Sequence, residues 1–136
     1  MDRKHMSDWV AGYERAWRTA GTEELDKLFT AAASYLQGPY REPVVGLAEI
    51  GRMWEAERDG PDEAFDMSSE IVAVEGDTAV VRLEVRYGEP AEQEFRDLWI
   101  VRFAEDGRCR EFEEWPVSPP KPAVAQAEAG VDGRSG

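Results

Sequence analysis

Residues 95–103, FRDLWIVRF, restrict the possible folds more than any other stretch of this chain. Read at a period of two, Phe95, Asp97, Trp99, Val101 and Phe103 share one face, and Arg96, Leu98, Ile100 and Arg102 share the other. Both faces carry apolar side chains, so neither is given wholly to water. That pattern predicts a central strand of a curved antiparallel sheet, roofed by helices on one side and partly covered by a partner on the other. Asp97 stands among the aromatics of the inner face. A carboxylate taken out of water is costly unless it is paired, hydrogen-bonded or protonated, which makes Asp97 the first candidate functional group.

The same period runs through the rest of the C-terminal half. Residues 64–74 alternate loosely and residues 78–87 cleanly, with Val81, Leu83, Val85 and Tyr87 set against Arg82, Glu84 and Arg86. Turns fall at Glu75-Gly76-Asp77, Gly88-Glu89-Pro90 and Glu105-Asp106-Gly107. The last of these predicts a tight hairpin joining the 95–103 strand to a final strand over 108–117.

The N-terminal half reads at helical spacing instead. A first helix is predicted from Ser7, with Ser7 or Asp8 as N-cap and with Trp9, Tyr13, Ala16 and Trp17 on its buried face. Gly21 is placed as its terminating glycine. Thr22 is placed as the N-cap of a second helix that buries Leu25, Leu28 and Phe29. A short strand is expected over 34–37, then a loop broken by Gly38-Pro39 and Glu42-Pro43, which would bring Tyr35 and Tyr40 to a cavity mouth. After Gly46 a third helix, 47–58, carries Ile50, Met53, Trp54 and Glu57 on one side until Asp59-Gly60-Pro61 stops it.

With 136 residues the chain is read as one domain, residues 7–117, between a tail at 1–6 and a disordered tail at 118–136 rich in Pro, Ala and Gly. Its 29 acidic and 16 basic residues give a formal charge of −13, which repels phosphate backbones and argues against nucleic acid as a partner. No apolar run is long enough to cross a membrane, and the start lacks the apolar core of a leader, so a cytoplasmic protein is expected. Cys109 and His5 are the only residues of their kinds. They allow no internal disulfide and no Cys/His metal site, and neither a metal nor an organic cofactor is expected. His5 is placed in a frayed terminus.

Three helices, a short strand after the second, and four antiparallel strands make an α+β cone. The segments Tyr13-Glu14-Arg15-Ala16-Trp17 with Gly21, Leu28-Phe29, Ser34-Tyr35, Glu42-Pro43 with Gly46, Ile50 with Met53-Trp54, and Arg102-Phe103 before Asp106-Gly107 carry a resemblance to the nuclear transport factor 2-like superfamily. It is strongest to the SnoaL-like members and covers residues 7–117. The resemblance implies a cone-shaped (cystatin-like) fold, three N-terminal helices packed on a strongly curved, mostly antiparallel sheet, and a conical cavity between them. It also implies a homodimer through the convex sheet face. Ketosteroid isomerases, polyketide cyclases, dehydratases, an epoxide hydrolase and proteins that only bind all share that fold, which therefore does not fix function. By the same resemblance Tyr13 falls where the steroid isomerases keep an oxyanion-hole tyrosine. Gln37 falls where they keep the general-base aspartate, and Trp99 where they keep the protonated acid. Glutamine takes up no proton at neutral pH and tryptophan only donates a hydrogen bond, so those two roles are lost.

The residues point to Asp97 as proton carrier and Tyr13 as hydrogen-bond donor. Paired with Arg41, Arg52 or Arg110, Asp97 would instead be a structural ion pair at the sheet rim. Trp17, Tyr35, Gln37, Tyr40, Met53, Trp54, Met67, Trp99, Phe112 and Glu114 are the expected binding set, with Glu114 entering from the last strand. Such walls suit a small apolar molecule bearing a carbonyl or hydroxyl, with isomerase-, cyclase-, dehydratase- or hydrolase-type acid/base chemistry. The competing expectation is a non-catalytic homodimeric module whose cone is filled by its own aromatics. An open volume of a few hundred cubic ångströms beside Asp97 separates the two. On the opposite face Leu98 and Ile100, among mixed charges, form a patch fit for a two-fold dimer.

Overall fold

The alternation in the C-terminal half folds into one sheet, seen here in a computed structural model that describes residues 1–58, 65–88 and 93–120. The elements in order are α1 (Arg3–Trp17), α2 (Leu25–Leu28), β1 (Phe29–Leu36), β2 (Val44–Val45), α3 (Leu47–Glu57), β3 (Phe65–Glu75), β4 (Thr78–Tyr87), β5 (Gln93–Phe103) and β6 (Cys109–Val117). The six strands lie in the order β2-β1-β6-β5-β4-β3. All neighbours are antiparallel except β1 and β6. Extra residues interrupt the ladders at Val72 in β3 and at Arg110 in β6, and such bulges sharpen the twist that curves a sheet around its helices.

The concave face and the helices enclose an aromatic core. Trp9 of α1 meets Phe29, Trp99, Phe103 and Phe112 with ring centroids 5.6 to 6.0 Å apart. Its indole N–H donates to the carbonyl of Leu28 at 2.9 Å. The strand expected over 95–103 divides as its period predicts: Trp99, Val101 and Phe103 are buried, whereas Arg96 and Leu98 are exposed.

Several boundaries differ from the sequence reading, each for a local reason. The first helix begins at Arg3 rather than Ser7, because the Asp2 carboxylate caps it by accepting from the His5 N–H at 2.9 Å. The expected 1–6 tail is therefore part of the domain, with Met6 fully buried. His5 is not frayed: its ring meets Phe103 edge-on at 5.1 Å, and Nε2 lies 2.7 Å from the carbonyl oxygen of Gly107. A Cβ at Gly107 would stand 2.9 Å from the His5 ring, so the Asp-Gly turn supplies clearance for helix docking as well as its positive φ. Helix α1 stops at the Arg18 cap, and Gly21, with φ 81°, turns the chain three residues later instead of closing the helix.

The second helix is a single turn without a side-chain cap from Thr22. Phe29 already belongs to β1, which runs five residues ahead of the expected 34–37 start. The two-residue β2 was not foreseen; it pairs Ser34 with Val45 and Tyr35 with Val44. Helix α3 follows Gly46 as expected. Glu89 and Pro90 of one predicted turn, Ala64, the Asp59-Gly60-Pro61 stop and the tail from residue 121 onward lie outside the described residues. No helix among the described residues is long and apolar enough to cross a membrane.

Arg58, just past α3, ties the helical layer together. Its buried guanidinium donates to the carbonyls of Ala16 (3.2 Å), Thr19 (2.9 Å) and Gly21 (2.9 Å), and to Glu55 (3.0 Å). One cation thus satisfies acceptors around the C-terminal end of α1, where the helix dipole also favours positive charge.

Candidate functional site

Side chains repeating at the natural period of each element converge on one cavity of about 480 Å³. Helix α1 supplies Tyr13 and Trp17, four residues apart, and α3 supplies Met53 and Glu57 at the same spacing. From the sheet come Phe65 and Met67 of β3, and Val85 and Tyr87 of β4. Strand β5 adds Phe95, Asp97 and Trp99, each two residues from the next, and β6 adds Glu114 and Pro116. Tyr35 and Gln37 at the end of β1, with Arg41 after it, complete the wall.

The polar groups gather at one end. Register sets Trp99 opposite Glu114 and Asp97 opposite Pro116, so the two carboxyls are diagonal neighbours on the concave face. The two carboxyls lie close enough that each perturbs the other, and a proton held between them would relieve their repulsion. Burial pushes Glu114 well above the ordinary carboxylate value, with the Asp97 charge and then that of Glu57 adding to it. Burial also raises Asp97, opposed by its hydrogen bonds with Glu114 and Trp99. Both carboxyls are thus pushed upward, and titration belongs to the pair rather than to either residue. Trp99 Nε1 donates to Asp97 Oδ2 at 3.3 Å, whereas Oδ1 is buried with no hydrogen-bond partner among the described residues.

Beside the carboxyls, the Tyr13 and Tyr35 hydroxyls lie 2.6 Å apart. Burial holds both phenols well above their usual value, so both stay protonated at any physiological pH. A pair of phenols has two protons for one mutual hydrogen bond, so the second O–H is available to an oxygen in the cavity. Trp17 also lines the cavity, and its buried indole N–H has no acceptor among the described residues.

Of the residues named from the sequence, Tyr13, Trp17, Tyr35, Gln37, Met53, Met67, Asp97, Trp99 and Glu114 line this one space. Three expected residues do not. Tyr40 is fully exposed, because Gly38 to Arg41 closes a turn that carries its ring outward. Trp54 and Phe112 are core: Trp54 packs behind Tyr13 and Trp17 at 5.0 and 4.8 Å, and Phe112 packs on Tyr35 at 4.5 Å. Nor does Asp97 form a rim ion pair among the described residues. Arg52 pairs with Glu49, Arg110 with Asp77 and Glu111, and Arg41 donates to Gln37 at 3.4 Å. Arg41, Glu57, Phe65, Val85, Tyr87, Phe95 and Pro116 were not in the expected binding set. Most were within reach of the pattern, since Glu57 follows Met53 by four residues and Phe95 precedes Asp97 by two. Cys109 lies buried away from this cavity, its thiol pushed up to about 12 by desolvation, and takes no part. Among the described residues, no three His, Cys, Asp or Glu side chains cluster closely enough to hold a metal ion.

A curved six-stranded sheet closed over by N-terminal helices, with a cavity between the layers, defines the cystatin-like α+β class of nuclear transport factor 2-like proteins. The profile of the SnoaL-like domain matches residues 10–112, and the chain belongs to that family. Similar solved structures include a protein of unknown function with a cystatin-like fold from Methylobium petroleophilum PM1, with 18% identity, a TM-score of 0.68, and 99% of this chain and 95% of that one covered. A proposed ketosteroid isomerase from Kribbella flavida DSM 17836 has 16% identity and a TM-score of 0.65, covering 98% and 92%. A proposed SnoaL-like polyketide cyclase from Jannaschia sp. CCS1 has 14% identity and a TM-score of 0.64, covering 99% of each chain. At such identities the likeness is one of fold. No curated protein matches the sequence.

Proposed function

We propose that this chain binds a small, mostly apolar molecule bearing a carbonyl or hydroxyl and carries out acid/base chemistry on it. The observation that carries this reading is the buried carboxyl pair Asp97 and Glu114, diagonal neighbours in register, with the Tyr13 and Tyr35 hydroxyls in the lining of the same cavity of about 480 Å³. That volume supports a ligand pocket over a cone filled by its own aromatics. The pair replaces, on β5 and β6, the acid and base that Gln37 and Trp99 cannot supply.

In the proposed step the Asp97 carboxylate removes a proton from the carbon next to a carbonyl. The C–H electron pair moves into the enolate, whose oxygen takes a hydrogen bond from the Tyr13 and Tyr35 pair. With a β,γ-unsaturated ketone, Asp97 returns the proton to the γ-carbon of the dienolate and completes an isomerisation; with a β-hydroxy ketone, the enolate electrons expel the β-hydroxyl, which leaves as water with the proton from Asp97 and completes a dehydration. Gln37 orients the substrate, and Glu114 keeps a proton within reach of Asp97.

The bicyclic ketone 2-tetralone in D₂O provides the test, with exchange of the protons next to its carbonyl followed by proton NMR. The wild type should accelerate exchange, and Asp97→Asn should lower that acceleration by roughly 10²–10⁴-fold. A wild type no faster than buffer would remove the acid/base step.

A second copy of the chain is the proposed partner, docked on the convex face. Register places exposed Leu98 opposite exposed Trp115, with half-buried Ile100 two residues along and exposed Val117 opposite Arg96. Around them Arg102 pairs with Glu111 at 3.6 Å, and Arg82 with Glu70 at 3.0 Å. A mixed-charge rim around an apolar centre suits a self-complementary two-fold contact.

A further inference from the structure

The outer half of the cavity differs in chemistry from the end that holds the carboxyl pair. Phe65, Tyr87 and Phe95 form a row of rings across β3, β4 and β5, with centroids 5.8 and 6.1 Å apart, and Trp17 lines the same space from α1. Ring faces attract cations, and this row already holds one: the Arg18 guanidinium carbon sits 3.8 Å from the Phe65 ring centre. Glu57 reaches the cavity from α3 and forms no ion pair among the described residues. Its field extends to Glu114, so like charges converge on one volume. Arg41 is the cation in the described lining, but it is exposed and spends a donor on Gln37.

We infer that the ligand carries a basic nitrogen, protonated at neutral pH, held among Trp17, Tyr87, Phe95 and the Glu57 carboxylate. This rests on the small-molecule reading above and adds a cationic end to the molecule proposed there. The nitrogen lies toward the rings, and the carbonyl or hydroxyl lies toward the carboxyl pair. A cation so placed also favours ionisation of the shared proton, so binding releases protons. The titratable and charged groups that line the cavity with that pair are Tyr13 from α1, Tyr35 from β1, Glu57 from α3, Tyr87 from β4 and Arg41 from the loop after β1. The Tyr13 and Tyr35 phenols stay protonated throughout, and the pair is the group proposed to give up the proton.

Two probes of equal shape test the inference by isothermal titration calorimetry at pH 7: 1-naphthylmethylamine, a cation, and 1-naphthalenemethanol, its neutral counterpart. The amine should bind about tenfold or more tightly than the alcohol. Its heat should vary between buffers of different ionisation enthalpy in the sense of proton release. Glu57→Gln, at an exposed position, should remove several-fold of the preference, read as the ratio of the two affinities. Equal affinities, or a preference that survives Glu57→Gln, would overturn the basic nitrogen while leaving the pocket. Silence of both probes with an enzyme that still exchanges 2-tetralone would overturn this inference alone. Silence of both together with no exchange would overturn the pocket reading too.

Discussion

Burial of Glu114 beside Asp97 links stability to pH with a sign opposite to that of a surface ion pair. Unfolded, Glu114 gives up its proton near 4.5; folded, it keeps it to higher pH because desolvation and the Asp97 charge disfavour the anion. Between those two values the folded state binds more protons than the unfolded one, so stability falls as pH rises. The carboxylates held low by partners, Asp2, Asp77, Asp106 and Glu49, act in the other sense but below their ordinary values of 3.8 to 4.5, outside this window. Glu114→Gln keeps a donor for Asp97 and has no proton to lose. Thermal melts from pH 5 to pH 8 should therefore show the wild type losing stability relative to this variant as pH rises. Parallel curves would mean that the carboxyl pair does not hold a proton in the native state.

At the scale of elements, much of the fold was legible because burial of one face imposes its period on the sequence. Strand β4 was read to the residue, since its ends coincide with turn glycines. Strand β1 was cut short because Phe29 also fits the helical spacing of Leu25 and Leu28, and tertiary pairing with β6 decides between them. Two residues of β2 cannot show a period at all. The start of α1 was missed for want of an apolar repeat before Met6, although Asp2, an N-cap residue, was there to be read. In the site, Asp97 and Tyr13 were visible as polar groups on apolar faces. The meeting of Asp97 with Glu114, seventeen positions later, depends on register and was not.

Both ends of α1 can be tested on this footing. Deleting residues 1–6 removes the Asp2 cap and the buried Met6, which together should cost about 3–5 kcal/mol in urea unfolding. No change would restore the tail reading. At the other end, Arg58→Met leaves the carbonyls of Ala16, Thr19 and Gly21 without their donor. The expected loss is roughly 2–4 kcal/mol, seen as a lower urea midpoint with an unchanged slope.

At the scale of the whole molecule, the two faces of one sheet divide the labour, because alternate residues of β5 and β6 are committed to different surroundings. Asp97, Trp99 and Glu114 turn inward to the cavity, while Leu98 and Trp115, next to them in sequence, turn outward. A two-fold contact on the outer face would therefore brace the strands that carry the carboxyl pair without touching the cavity. Trp115 is the best lever: it is large, exposed and opposite Leu98, and its indole N–H donates to Glu113 on the same strand. Trp115→Glu would place a charge at the centre of the proposed contact, where an unpaired buried charge is costly. Light scattering with size-exclusion chromatography should give twice the chain mass for the wild type and a single chain for the variant. The melting temperature of the wild type should rise with protein concentration, and that of the variant should not. A wild type that elutes as a single chain at micromolar concentration would show the convex face to be open, and the carboxyl pair would then owe its placement to the fold of one chain alone.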